Sequence, residues 1–203
     1  MLLNHAFGLF KNPESEWSEI RKEKAPPRRL YVAYVLVLGL IGPVCAYIST
    51  AHIGWTVGSD RVIRFTEISA LQLSVLSYLA ILVGVFALGY GVNWMARTYG
   101  AKQEQVPSRG VALVSYSCTP LFLAGFALLY PNLWFNVIVH MAAAGYGAWL
   151  MYNGLPVVMG IRKAQAVMYA GALLTLALVI LVSTLAGSVI LWTYGFGPVY
   201  ASG

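Results

Sequence analysis

Five long apolar runs divide this chain, and nearly all of its basic residues fall on one side of them. The runs cover about residues 30–51, 69–95, 111–129, 133–158 and 167–194, and none contains Asp, Glu, Lys or Arg. Each approaches or exceeds the roughly 20 residues an α-helix needs to cross the hydrocarbon core of a bilayer. With the N-terminus in the cytoplasm, Lys11, Arg21, Lys22, Lys24, Arg28 and Arg29 precede the first run on the inside. Arg97, Lys102 and Arg109 follow the second run, and Arg162 and Lys163 follow the fourth, also on the inside. Only Arg61 and Arg64 are left outside. Basic residues are retained on the cytoplasmic side. The split therefore supports five spans, a cytoplasmic N-terminus and an external C-terminus.

Composition points the same way. The chain has 203 residues, 59% hydrophobic and 10% charged, where a soluble domain carries about 25% charged residues. The net charge of +6 does not indicate nucleic acid, because the basic residues sit at span ends, where anionic head groups attract them. Cys45 and Cys118 lie within spans and read as small packing residues, with no CxxC or Cys/His spacing for a disulfide framework or a zinc site. No short apolar core with a small-residue cleavage site precedes the first span, which is expected to be a retained anchor. The expected fold class is an all-α integral membrane protein. It comprises a cytoplasmic amphipathic segment (1–29), a five-span domain (30–194) and a short external tail (195–203).

The N-terminal segment carries helix signals. Asn12 is a good N-cap and Pro13 suits the first helical position. Glu14, Glu16 and Glu19 lie near the positive end of the helix dipole, and Arg21, Lys22 and Lys24 near the negative end. Trp17 and Ile20 share a face, and Ala25-Pro26-Pro27 is expected to stop the helix. The expectation is a short helix lying on the membrane surface, with Trp17, Ile20, Arg21, Arg28 and Arg29 meeting lipid or a partner. Its four glutamates, including Glu23, are expected on a solvated surface. Ser59-Asp60 is expected to start a helix that runs through Val62 and Ile63 into the second span.

Three spans contain proline: Gly42-Pro43, Thr119-Pro120 and Leu155-Pro156. Proline removes a backbone hydrogen bond and tends to kink a helix. Such breaks either shape the bundle, with Ser or Thr re-satisfying the backbone, or open carbonyls to a solute. Polar residues gather toward span ends, with Tyr116 and Asn153 near the inner end and His140 near the outer. No span has a mid-membrane Asp, Glu, Lys or Arg of the kind that ion coupling commonly uses. No catalytic constellation or phosphate loop is visible, so no enzyme is expected. His52 and His140 are the pair considered for a metal or haem, but no further ligand joins them in the sequence; no metal or cofactor is expected.

Several segments together resemble the Yip (Ypt-interacting protein) family in its short bacterial form. They are Asn12-Pro13-Glu14-Ser15-Glu16-Trp17, Ser115-Tyr116-Ser117-Cys118-Thr119-Pro120-Leu121, Gly145-Tyr146, and Tyr152-Asn153-Gly154-Leu155-Pro156. The resemblance extends over nearly the whole chain and implies five spans with the N-terminus inside. Eukaryotic relatives occupy early secretory membranes and bind prenylated Rab GTPases. Rab binding is not expected here. The first span reads Leu40-Ile41-Gly42-Pro43 in place of an acidic–aromatic Gly-Pro motif, and their long N-terminal region is not matched. Bacterial members are inner-membrane proteins, sometimes described as transporters. The expected function is a non-enzymatic multi-pass protein that organises membrane or recruits partners in the lipid plane. Its expected partners are membrane lipids, copies of itself or other membrane proteins, and no nucleic acid. The alternative is a small-solute or lipid transporter whose path is lined by Tyr116, Asn153 and His140.

Overall fold

The computed structural model describes residues 2–22, 27–56, 62–101 and 108–201. Five helices long and apolar enough to cross a membrane occupy Tyr31–Ile53, Glu67–Met95, Arg109–Leu129, Leu133–Met159 and Lys163–Phe196. Each starts and stops within about a turn of the run read from sequence, because the charged and turn-forming residues that bound the runs also end the helices. Asn132 caps the fourth span through its side chain, which accepts from the Phe135 amide at 3.0 Å. Gly160 ends that span in the left-handed region (φ +66°), which glycine enters without a Cβ penalty.

The third span is the hub. It packs against the first, second and fourth spans, while the fifth packs against the second and fourth. Of the central apolar stretch, 61% is buried in the third span and only 6% in the second and in the fifth. Small residues permit the close crossings. A Cβ on Gly125 would lie 2.6 Å from the Gly42 Cα, and one on Gly147 would lie 2.7 Å from the Ser117 carbonyl oxygen. Backbones approach this closely in membranes because dispersion contacts, rather than a hydrophobic force, hold apolar helices together. Tyrosine hydroxyls add interhelical pins: Tyr78 donates to the Leu36 carbonyl at 2.9 Å, Tyr31 to Leu82 and Tyr169 to Val92.

The prolines act differently in each span. The first span turns irregularly at Gly39-Leu40, one turn before the buried Pro43. The third breaks at Cys118, directly before the buried Thr119-Pro120. The fourth continues as helix through Pro156. Cys45 and Cys118 are both free thiols.

Two expectations are corrected. The N-terminal segment forms two helices, α1 (Leu2–Lys11) and α2 (Pro13–Lys22). Ser59-Asp60 lies outside the described residues, and the helix expected to run through Val62 and Ile63 is not formed there. Instead β1 (Trp55–Thr56) and β2 (Val62–Ile63) pair antiparallel, as β-branched Val and Ile favour. The helix starts at Glu67 after Thr66, whose hydroxyl accepts from the Ser69 amide. The C-terminal tail returns to this end: Val199 accepts from the Thr66 amide and Phe65 bridges Tyr200. A cavity of about 280 Å³ lies there between Thr50, Trp55, Ile63, Phe65 and Tyr200.

Candidate functional site

The polar and aromatic residues singled out in the N-terminal segment and the third span meet at one place, where α1 and α2 dock beside the third and fourth spans. The turn between the two helices follows from the sequence. Asn12 caps α2, with its side chain and carbonyl both engaging Ser15, and Pro13 opens the helix. That cap ends α1 at Lys11 and folds the helices into a hairpin.

The apolar face of α2 is turned inward. Trp17 is fully buried and Ile20 is 5% exposed. The indole sits where Gly154 has no side chain: a Cβ there would lie 2.7 Å from Trp17 Cε2, and equally close to Leu113 of the third span. The expectation that Trp17 and Ile20 face lipid or a partner is therefore corrected. The same hydrophobic pair that makes α2 amphipathic is satisfied by the chain's own third and fourth spans. From α1, Ala6 and Leu9 are buried, and Phe10 stacks on Tyr146 of the fourth span with centroids 5.5 Å apart. The Tyr146 hydroxyl donates to the Leu9 carbonyl at 3.5 Å.

A polar line runs from this hairpin to the break in the third span. His5 Nδ1 pairs with Glu16 Oε1. The His5 ring meets Tyr116 edge-on at 5.8 Å, and Tyr116 meets Tyr34 of the first span at 4.9 Å. The Tyr34 and Thr119 hydroxyls lie 2.6 Å apart, and Thr119 donates to the Tyr116 carbonyl, also at 2.6 Å. A carbonyl just ahead of Pro120 is thus satisfied by a side chain within the bundle, which favours the structural reading of this kink. Alongside it, Trp17 Nε1, Ser115 Oγ and Ser117 Oγ are buried with no protein hydrogen-bond partner among the described residues.

The remaining sequence-derived positions do not join this site. Arg21 is exposed beside Gly160, with its guanidinium 3.5 Å from where a Cβ would stand. Arg29 is exposed, and Arg28 falls in the turn 27–30, with its side chain outside the described set. Asn153 donates to the Trp149 carbonyl and His140 bonds the Asn136 carbonyl, each within its own helix. Thirteen residues separate them, about 20 Å at the helical rise. They do not share a subsite. His52 lies against Tyr47 instead.

Sequence reasoning missed His5, Gly8 and Glu16. Glu16 was expected on a solvated face, yet it is pressed between His5 and Gly8, where a Cβ on Gly8 would overlap its carboxylate. The signal was present: His5 and Gly8 are three apart on α1, and the Asn12-Pro13 cap folds α2 back on them.

Comparison with known proteins agrees with this architecture. No solved structure matches the chain. The chain is 35% identical over 196 residues, 96% of its own length and 98% of the relative's, to the inner membrane protein YohC of Escherichia coli (strain K12). It matches YohC of Escherichia coli O6:H1 equally well. The family model of the Yip1 domain matches residues 7–184, which cover the second half of α1, all of α2 and all but the last part of the fifth span. The chain belongs to the Yip1 family and is an integral protein of the inner membrane.

Proposed function

We propose that this protein is a non-enzymatic scaffold, oriented with its basic ends in the cytoplasm, that recruits other membrane proteins or copies of itself within the lipid plane. The observation that carries this is the uneven burial of the spans. The third span anchors the bundle, while only 6% of the central stretch is buried in the second span and in the fifth. Val83, Phe86 and Tyr90 on the second span and Leu178, Val182 and Leu185 on the fifth are all more than half exposed. These spans make a broad apolar wall, which a partner helix covers by the dispersion packing that holds membrane helices together. The lack of Asp, Glu, Lys or Arg in the middle of any span supports a scaffold over an ion-coupled transporter.

The test is photo-crosslinking in native membranes from probes placed at Phe86 and Leu178, with probes at Thr119 and Leu155, inside the bundle, as controls. Discrete protein adducts from the wall and none from the interior are expected. Adducts to lipid alone, together with solute flux in proteoliposomes, would replace the scaffold with the transporter.

A further inference from the structure

The hairpin brings together three side chains whose chemistry goes beyond packing. His5 on α1 and Glu16 and Glu19 on α2 place one ligand atom each within 4.8 Å of one another. The two glutamates are three apart and share a face of α2. His5 is 9% exposed and its ring is braced edge-on by Tyr116. Glu16 is half-buried against it, and Glu19 is exposed. The missing side chain at Gly8, one turn beyond His5, makes room for the Glu16 carboxylate. The cluster is therefore held on one side and open on the other.

We propose that His5, Glu16 and Glu19 form a binding site for a divalent transition-metal cation of the zinc class, which clamps α1 to α2 and so fixes the hairpin on the third and fourth spans. One imidazole nitrogen and two carboxylate oxygens suit zinc, cobalt, manganese or ferrous iron. Calcium takes six to eight oxygens, and cuprous copper prefers sulfur. Bonds of about 2.0–2.2 Å in a tetrahedron set neighbouring ligands roughly 3.3–3.5 Å apart. Glu19 reaches that spacing by a rotamer change at the exposed edge. His5 and Glu16, already in contact, open slightly around the ion. Water takes the fourth position on the exposed side, and the cation balances the two carboxylate charges. A simple His5–Glu16 ion pair would need neither Glu19 nor a metal, and this separates the two readings.

The test uses untagged full-length protein in mild detergent, stripped with chelator and titrated with Co²⁺ and then Zn²⁺. One Co²⁺ per chain, visible d–d absorption, displacement by Zn²⁺ and a raised unfolding temperature are expected. Glu19→Gln lies on the exposed edge and leaves the His5–Glu16 pair intact; it should abolish the absorption. Gly8→Ala keeps all three ligands but displaces the Glu16 carboxylate, and should weaken binding roughly tenfold or more. Glu14→Gln, exposed on the same helix, should change nothing. Absence of stoichiometric binding, or binding unaltered in Glu19→Gln and His5→Ala, would overturn the site. Should His5→Ala fail to fold, Glu19→Gln alone decides.

Discussion

Trp17 fills the space in which Gly154 has no side chain, so that one indole locks the N-terminal hairpin to the fourth span. The relationship is reciprocal: the indole is fully buried, and a Cβ on Gly154 would stand 2.7 Å from it. Replacing Trp17 by Ala leaves a cavity and should cost about 3–5 kcal/mol of docking, as large-to-small core changes do. Gly154→Leu should expel the hairpin outright. Limited trypsin digestion of the detergent-solubilised protein reads this directly. Cleavage after Arg21 and Lys22 should accelerate in both variants, and an unchanged rate would refute the docking.

The Tyr34–Thr119 contact makes a prediction of different size. Tyr34→Phe removes one hydroxyl while Thr119 keeps the Tyr116 carbonyl as its acceptor. Its cost should be near the ~0.6 kcal/mol average for interhelical hydrogen bonds in membranes. Thr119→Val strands both the Tyr34 hydroxyl and the Tyr116 carbonyl in the interior, and should cost more, about 1–3 kcal/mol. In a double-mutant cycle the combined loss should be less than the sum. Additive effects would mean that the two hydroxyls are not coupled.

Glycines that look alike in sequence should respond in opposite ways. A Cβ on Gly125 would meet the backbone of Gly42 at 2.6 Å, whereas one on Gly145 meets nothing within 4 Å. Gly125→Ala therefore forces the first and third spans apart and should lower the unfolding temperature. Gly145→Ala should be neutral or stabilising by up to about 1 kcal/mol through helix propensity. The comparison is made by thermal unfolding in one detergent, and equal shifts would contradict the crossing.

The contrast between those glycines shows what a sequence of this kind discloses. The five spans were legible because lipid imposes a length and forbids charge, and both constraints are written residue by residue. The Asn12-Pro13 cap was legible for the same reason, since its chemistry is local. The destination of Trp17 and Ile20 was not. An apolar stripe on a surface helix looks the same whether it meets lipid or Gly154, 137 residues further along the chain. The pairing of His5 with Glu16 was only partly legible, through Gly8 one turn from His5 and the Asn12-Pro13 cap. It also depends on how far the hairpin closes, which periodicity does not report. Asn153 and His140 misled in the other direction: polar side chains in spans suggest a path, but each bonds a carbonyl one turn back in its own helix.

Orientation follows from charge and is testable without any knowledge of function. Arg97, Arg109, Arg162 and Lys163 flank one set of span ends, which the positive-inside bias is expected to keep in the cytoplasm. On that expectation the turn at Tyr130-Pro131-Asn132 and the tail at Val199–Ala201 lie on the other side. Single cysteines at Asn132 and Ala201, in a background with Cys45 and Cys118 replaced by Ala, should react in intact spheroplasts with a membrane-impermeant maleimide. A cysteine in place of Gln165 should react only after the membrane is opened. Cys45→Ala and Cys118→Ala each remove one thiol not engaged in a disulfide, so the background should fold. Labelling of the position-165 cysteine in sealed cells would invert the topology and move the hairpin, with its His5–Glu16–Glu19 cluster, to the outer side.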